Sequence, residues 1–81
     1  MEQNSIKKVM ISQPMNGKTP EEIIEVRDKA VKYLEALGYE VLMYMSYCDV
    51  VYFCKGWDKT RGCILEHEAA EAYGLEIMYE E

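Results

Sequence analysis

Histidine, tryptophan and phenylalanine occur once each in the 81 residues, and cysteine three times. Cys48, Cys54 and Cys63 are an odd set without C-x-x-C spacing, so neither a disulfide framework nor a thiolate metal cluster is expected. Free thiols in a reducing, cytoplasmic compartment are the simple reading. A single histidine leaves His67-Glu68-x-x-Glu71 without the second imidazole of a zinc helix. A metal site takes about three protein ligands, so no metal is expected and a solvated helix face is the reading preferred there. Placed on a helix, His67 faces away from the expected cleft, which argues against Ser-His-Asp or Cys-His chemistry. Positive charge is also scarce: nine Lys and Arg stand against fifteen Asp and Glu, a net charge of −6. Binding a nucleic-acid polymer needs clustered cations and is not expected, whereas a single nucleotide needs only local donors. No apolar run approaches the ~18 residues of a membrane span.

What the chain does contain is 49% hydrophobic and 30% charged residues, the balance of one globular domain over residues 1–81. The first six residues are expected to be loose. Val9-Met10-Ile11 is a buried strand candidate, followed by the turn Gln13 to Lys18. Thr19-Pro20-Glu21-Glu22 carries a cap, a proline suited to the first helical position and a capping-box glutamate. Ile23, Val26, Ala30, Leu34 and Leu37 then recur at helical spacing up to Gly38, a left-handed stop. Tyr39–Tyr44 and Val50–Cys54 read as strands buried on two faces. Lys55–Gly62 is a polar turn, residues 62–73 are helix formers, and Leu75–Tyr79 is a short last strand. Six methionines are expected to fill gaps in the core.

This β-α-β-β-α-β order predicts an α/β fold with a mainly parallel sheet of three to four strands and two main helices. One connection is short. A parallel crossover takes a dozen or more residues, yet only Met45 to Cys48 or so separate the second and third strands. Five extended residues reach roughly 17 Å. Either the second strand pairs differently, or the segment is exchanged with a neighbouring molecule, or the third strand's partner comes from another chain; a homodimer that repairs the gap is the expectation.

Ligands of an open parallel sheet sit beyond the strand C-termini, where strand order reverses. Two turns qualify, Ser12–Lys18 and Lys55–Gly62, each leading toward a helix whose first N–H groups suit an anion. On the second helix, Gly62, Leu65, Ala69, Ala72 and Tyr73 cluster at 100° steps and predict the core face. Glu68 and Glu71 fall opposite. Glu66 lies at the edge of the apolar face in the first turns, which aims it at the cleft. A partly desolvated carboxylate there suits a nucleophile at a sugar carbon, and equally a boundary glutamate bonded to backbone or to Arg61. Trp57 suits either stacking on a base or packing over a small core.

The segments Val9–Lys18 and Asp49–Phe53, with Gly56-Trp57 and Arg61-Gly62-Cys63-x-x-Glu66, resemble the nucleoside 2-deoxyribosyltransferase-like superfamily, in particular a branch of small proteins of phages and mobile elements of Firmicutes. The likeness runs from about residue 7 to residue 79. It implies a minimal Rossmann-like (flavodoxin-like) sheet, dimers or larger oligomers, no cofactor, and cleavage or transfer at the N-glycosidic bond of a nucleoside or nucleotide. By that resemblance Glu66 is the nucleophile. Ser12, Gln13, Met15, Gly17 and Gly62 line the pocket, and Trp57 and Asp58 border the base. The chain departs from the family in its truncated second crossover, in lacking an acid that orients the sugar from that region, and in carrying His67 and Glu68 where transferases often have leucine and glycine. A nucleotide binder without turnover, or a structural homo-oligomer, is the alternative.

Overall fold

The computed structural model describes residues 6–81; most of the start expected to be loose, residues 1–5, lies outside them. Two helices cover opposite faces of a four-stranded sheet. The elements are β1 (Lys8–Ser12), α1 (Pro20–Ala36), β2 (Glu40–Leu42), β3 (Val50–Phe53), α2 (Arg61–Ala72) and β4 (Glu76–Tyr79), with short 3-10 turns at Met45–Tyr47 and Trp57–Lys59. All pairings are parallel and the strand order is β2-β1-β3-β4. This is a minimal Rossmann-like α/β arrangement, and the order reverses between β1 and β3.

Each strand divides its side chains between the two helices by simple alternation. Val9, Ile11, Val50, Tyr52 and Cys54 pack with Ala30 and Leu34 of α1. Met10, Val51 and Phe53 pack with Ala70 of α2. Every residue of β3 is buried, as a central parallel strand requires. The capping box at α1 is complete: the Glu22 N–H donates to Thr19 Oγ1 at 3.1 Å and the Thr19 N–H to Glu22 Oε1 at 2.9 Å. Gly38 follows the helix at φ +93°, a backbone region that other residues enter at a cost. Leu37, expected on the core face, is exposed.

The short crossover needs no second molecule. β2 is three residues long, not six, and lies at the sheet edge, so it is not buried on both faces as the sequence suggests. It leaves the sheet at the level of Met10, and β3 enters at the level of Val9. The return along the strand direction is therefore about one residue, ~3.3 Å, and the sideways step spans two strand spacings, ~10 Å. Residues 43–49 cover that easily, with Met45 and Cys48 packed on the α2 face. Asp49 fastens the entry to β3: its Oδ2 accepts from the Lys8 N–H at 3.0 Å, and its own N–H donates to the Lys8 carbonyl at 2.8 Å.

The inward face of α2 is not the one its apolar residues mark. Cys63 and Ala70 are buried, with Glu66 and His67 half-buried between them, while Leu65, Ala72 and Tyr73 are exposed. The stripe 63, 66, 67, 70 has helical spacing, but two of its members are polar. They face inward because the sheet supplies partners for each.

The three cysteines are free and buried. Burial, reinforced by the negative charge of Glu80, pushes the Cys54 thiol up from 9.0 to about 12. Burial, again with Glu80, pushes the Tyr52 phenol from 10.0 to about 12. Both groups are neutral when protonated, and the folded state holds the proton more tightly. Between the ordinary values and about 12 the unfolded chain has shed protons that the native chain keeps, so stability is full below pH 9 and falls as pH rises toward 12. Urea midpoints at about pH 8 and about pH 11 are expected to show a clear loss at the higher value. Equal midpoints would mean that neither proton is held by the fold.

Candidate functional site

The two turns after β1 and β3 meet at the switch point of the sheet. The Cys54 N–H donates to the Ser12 carbonyl at 2.9 Å, carrying the β1–β3 ladder one residue further. Gly56 then turns at φ +87°, and a Cβ built on it lies 3.6 Å from the Pro14 ring. The positive φ, more than the ring contact, calls for glycine there. The 3-10 turn Trp57–Lys59 leads into α2, whose cap residue Thr60 makes no side-chain hydrogen bond to the helix. The first N–H groups of α2 therefore have no side-chain cap.

An open cleft of ≈ 450 Å³ lies at this helix start, lined by Gln13, Met15 and Asn16 from the first turn and by Thr60, Arg61, Gly62, Cys63 and Glu66 from the second. A second cleft of ≈ 480 Å³ lies beside it, where β2 stops at Leu42 while β1 runs on to Ser12. Its walls are Met10, Ile11, Met15, Leu42 and Met43, with Arg27 and Glu66 as the charged members. Both volumes fall in the range of small-molecule sites. Glu66 and Met15 line both clefts.

The Glu66 carboxylate is fixed from one side. Ser12 Oγ donates to Glu66 Oε1 at 2.6 Å, and Ser12 itself is 1% exposed. Cys63, one turn earlier on α2, lies against the same pair. Burial raises its thiol above the ordinary value, a hydrogen bond with Ser12 lowers it, and the nearby Glu66 charge raises it. Gln13 Nε2 donates to the Ile23 carbonyl at 2.7 Å, tying the first turn to α1. These bonds leave one carboxylate oxygen of Glu66 without a protein donor among the described residues, at the junction of two hollows.

Of the residues singled out in the sequence, Ser12, Gln13, Met15, Gly62 and Glu66 come together here. Gly17, exposed at φ +74°, lines neither cleft, nor does exposed Asp58. Trp57 also lines neither. It stacks on His67 with ring centroids 4.2 Å apart and planes at 11°, within a cluster that includes Phe53 and Tyr79. His67 is accordingly not on a solvated face. Its side chain is 14% exposed, and its Nε2 is 2.7 Å from the Tyr79 hydroxyl. Arg27, Arg61 and Cys63 complete the site. The spacing Cys63-x-x-Glu66 carried a signal for the last, since residues three apart share a helix face. Nothing local marks Arg27, which reaches the cleft from α1.

No group of three or more His, Cys, Asp or Glu is placed to hold a metal among the described residues. No helix there is long and apolar enough to cross a membrane. Comparison with known proteins returns no matching family model, no matching curated protein and no matching solved structure.

Proposed function

We propose that this protein breaks the N-glycosidic bond of a nucleoside or nucleotide, by hydrolysis or by transfer, with Glu66 as nucleophile. The observation that carries the reading is the position of that carboxylate, shared by a polar cleft at a helix start and an apolar cleft at the sheet edge. The resemblance of the two turns to the deoxyribosyltransferase-like proteins supports the same assignment. The sugar, or a sugar phosphate, suits the polar side, where Asn16, Thr60 and Arg61 and the uncapped N–H groups offer donors. The flat base suits the methionine-lined side. With Ser12 holding Oε1, the other oxygen attacks the anomeric carbon. The C–N bond breaks, its electron pair leaves with the base, and a C–O bond to Glu66 forms. Water or a second base then attacks the same carbon and frees the carboxylate.

The test is incubation with the four common 2′-deoxynucleosides and their 5′-monophosphates, followed by chromatography for free base. Base release by wild type that vanishes in Glu66→Ala is expected. No release, or equal release by both proteins, removes the assignment. Calorimetric binding without release identifies a nucleotide binder instead.

A second reading concerns assembly, and the outward face of α2 favours it. Gly62, Leu65, Ala69 and Ala72 recur at steps of three, four and three, a seam that suits a second helix, and Leu65 and Tyr73 are exposed at 57% and 72%. Pairing of two copies through this face gives a dimer by light scattering at micromolar concentration. Leu65→Glu with Tyr73→Glu is expected to return the monomer mass. A wild-type monomer ends this reading.

A further inference from the structure

Arg27 takes part in none of the ion pairs or side-chain hydrogen bonds among the described residues. The reason is local. Its neighbours three and four positions away on α1 are Ile23, Ile24, Ala30 and Val31, so no carboxylate stands on its stretch of helix. Lys29 and Lys32, by contrast, each have an acid four residues earlier, Glu25 and Asp28. Helical side chains lean toward the helix start, and α1 starts at the end of the sheet where β1 stops. Arg27 is thereby carried, half-buried, to the wall of the methionine-lined cleft. Glu66 stands on the same cleft from α2, and the two charges do not pair across it.

A guanidinium is a rigid fork of N–H donors. Thioethers and alkyl groups leave such donors unanswered, so the acceptors must come with the ligand. A phosphate is the poorer candidate: the carboxylate in the same cleft repels it, and the uncapped start of α2 serves it better. With the base on the methionine side, its edge must present two neighbouring acceptors to the fork. Guanine and hypoxanthine do so with O6 and N7, whereas adenine puts a donor amine in place of O6. Thymine separates its two carbonyl oxygens by an N–H. Cytosine has O2 next to N3, but O2 flanks the glycosidic bond, on the Glu66 side of the cleft rather than across from it.

We propose that Arg27 donates from its fork to O6 and N7 of a 6-oxopurine, and that this base is the leaving group. This rests on the glycosidic reading and extends it to the identity of the base. As the C–N bond breaks, its electron pair passes into the ring that holds N7, and negative charge collects at N7 and O6, where the guanidinium donates. The contact is therefore stronger in the transition state than in the bound substrate. No proton leaves the guanidinium; the base departs as its anion and takes a proton from water.

The experiment measures kcat/KM for base release from 2′-deoxyguanosine, 2′-deoxyinosine, 2′-deoxyadenosine, 2′-deoxycytidine and thymidine, each as the nucleoside and as its 5′-monophosphate. Wild type is expected to favour guanine and hypoxanthine over the other three bases by at least about tenfold, the scale of one bidentate contact. Arg27→Met is expected to bring that ratio to about one, and Arg27→Lys, a point charge in place of a fork, to keep only part of it. Should Arg27→Met fail to fold, Arg27→Gln takes its place. Equal rates for guanine and adenine in wild type, or a preference that survives in Arg27→Met, overturns the assignment and leaves the glycosidic reading standing. So does an Arg27-dependent preference for cytosine, or a preference for monophosphate over nucleoside that vanishes in Arg27→Met, which places a phosphate at the guanidinium. No base release from any of these compounds overturns both.

Discussion

Glu66→Gln is expected to lower base release by about three orders of magnitude or more, the usual cost of removing a covalent nucleophile. Glutamine is the informative replacement because it keeps the shape of the side chain. Its amide oxygen can still accept from Ser12 Oγ, which lies 2.6 Å from the carboxylate in the native protein, so the half-buried site retains its hydrogen bond. A circular dichroism spectrum and urea midpoint close to wild type would then assign the loss to chemistry. Ser12→Ala separates holding from reacting. It removes a donor and leaves the carboxylate free to rotate, so release is expected to fall by roughly tenfold, the scale of one hydrogen bond. If Ser12→Ala were as inactive as Glu66→Gln, the hydroxyl would take part in bond breaking itself. If Glu66→Gln released base at the wild-type rate, the carboxylate would be a helix-to-sheet tie and nothing more.

How far the residues themselves disclose this arrangement differs between elements. Thr19, Pro20 and Glu22 announce the start of α1 because capping is a local transaction between neighbours, and the structure repeats it bond for bond. The apolar runs of β1 and β3 locate the centre of the sheet for a similar reason: β-branched residues without alternation have no wet side. Glu66 is legible as a residue at the margin of an apolar face. The inward face itself is not legible there. Helical projection weighs apolarity alone, and Leu65 and Tyr73 outweigh Cys63 and Ala70 on that scale. What turned the helix was the supply of partners on the sheet, Ser12 for Glu66 and the ring cluster of Phe53, Trp57 and Tyr79 for His67. None of those partners lies on the helix itself, so the periodicity of α2 does not contain the information.

The β2–β3 connection departs from its sequence expectation for a geometric reason. Treating Tyr39–Tyr44 as strand lengthens the return path and shortens the linker together. Met43 and Tyr44 are in fact exposed at 76% and 66%. Their side chains suggest a buried strand, whereas the pairing with β1 ends at Leu42. The early end has a consequence for the site. Ile11 and Ser12 extend beyond their neighbour, and the notch this leaves is the apolar cleft beside Glu66. The short β2–β3 connection and the apolar hollow are one feature seen twice.

Phe53→Ala is the substitution expected to cost most in stability. Phe53 is 0% exposed on the central strand, with ring centroids 5.3 Å from Trp57, 4.8 Å from His67 and 6.2 Å from Tyr79. Truncating a buried phenylalanine costs about 3–5 kcal/mol, and the loss of its aromatic pairs places Phe53 toward the upper end of that range. A chain of this length holds roughly 4–12 kcal/mol in all. The variant is therefore expected to be largely unfolded at 37 °C, or to retain only a small urea midpoint. Trp57, the one tryptophan, reports the transition because it packs on the deleted ring. Phe53→Leu fills most of the space and is expected to fold. It also tests whether the cluster matters to the cleft. Phe53 pairs in register with Ser12, and its ring packs on His67, the residue next to Glu66 on α2. A folded Phe53→Leu protein with slower base release would show that the ring stack sets the height of Glu66 over the β1 turn. Unchanged release would leave that positioning to the Ser12 hydrogen bond alone, and a Phe53→Ala midpoint at the wild-type value would mean that the ring cluster does not anchor α2 to the sheet.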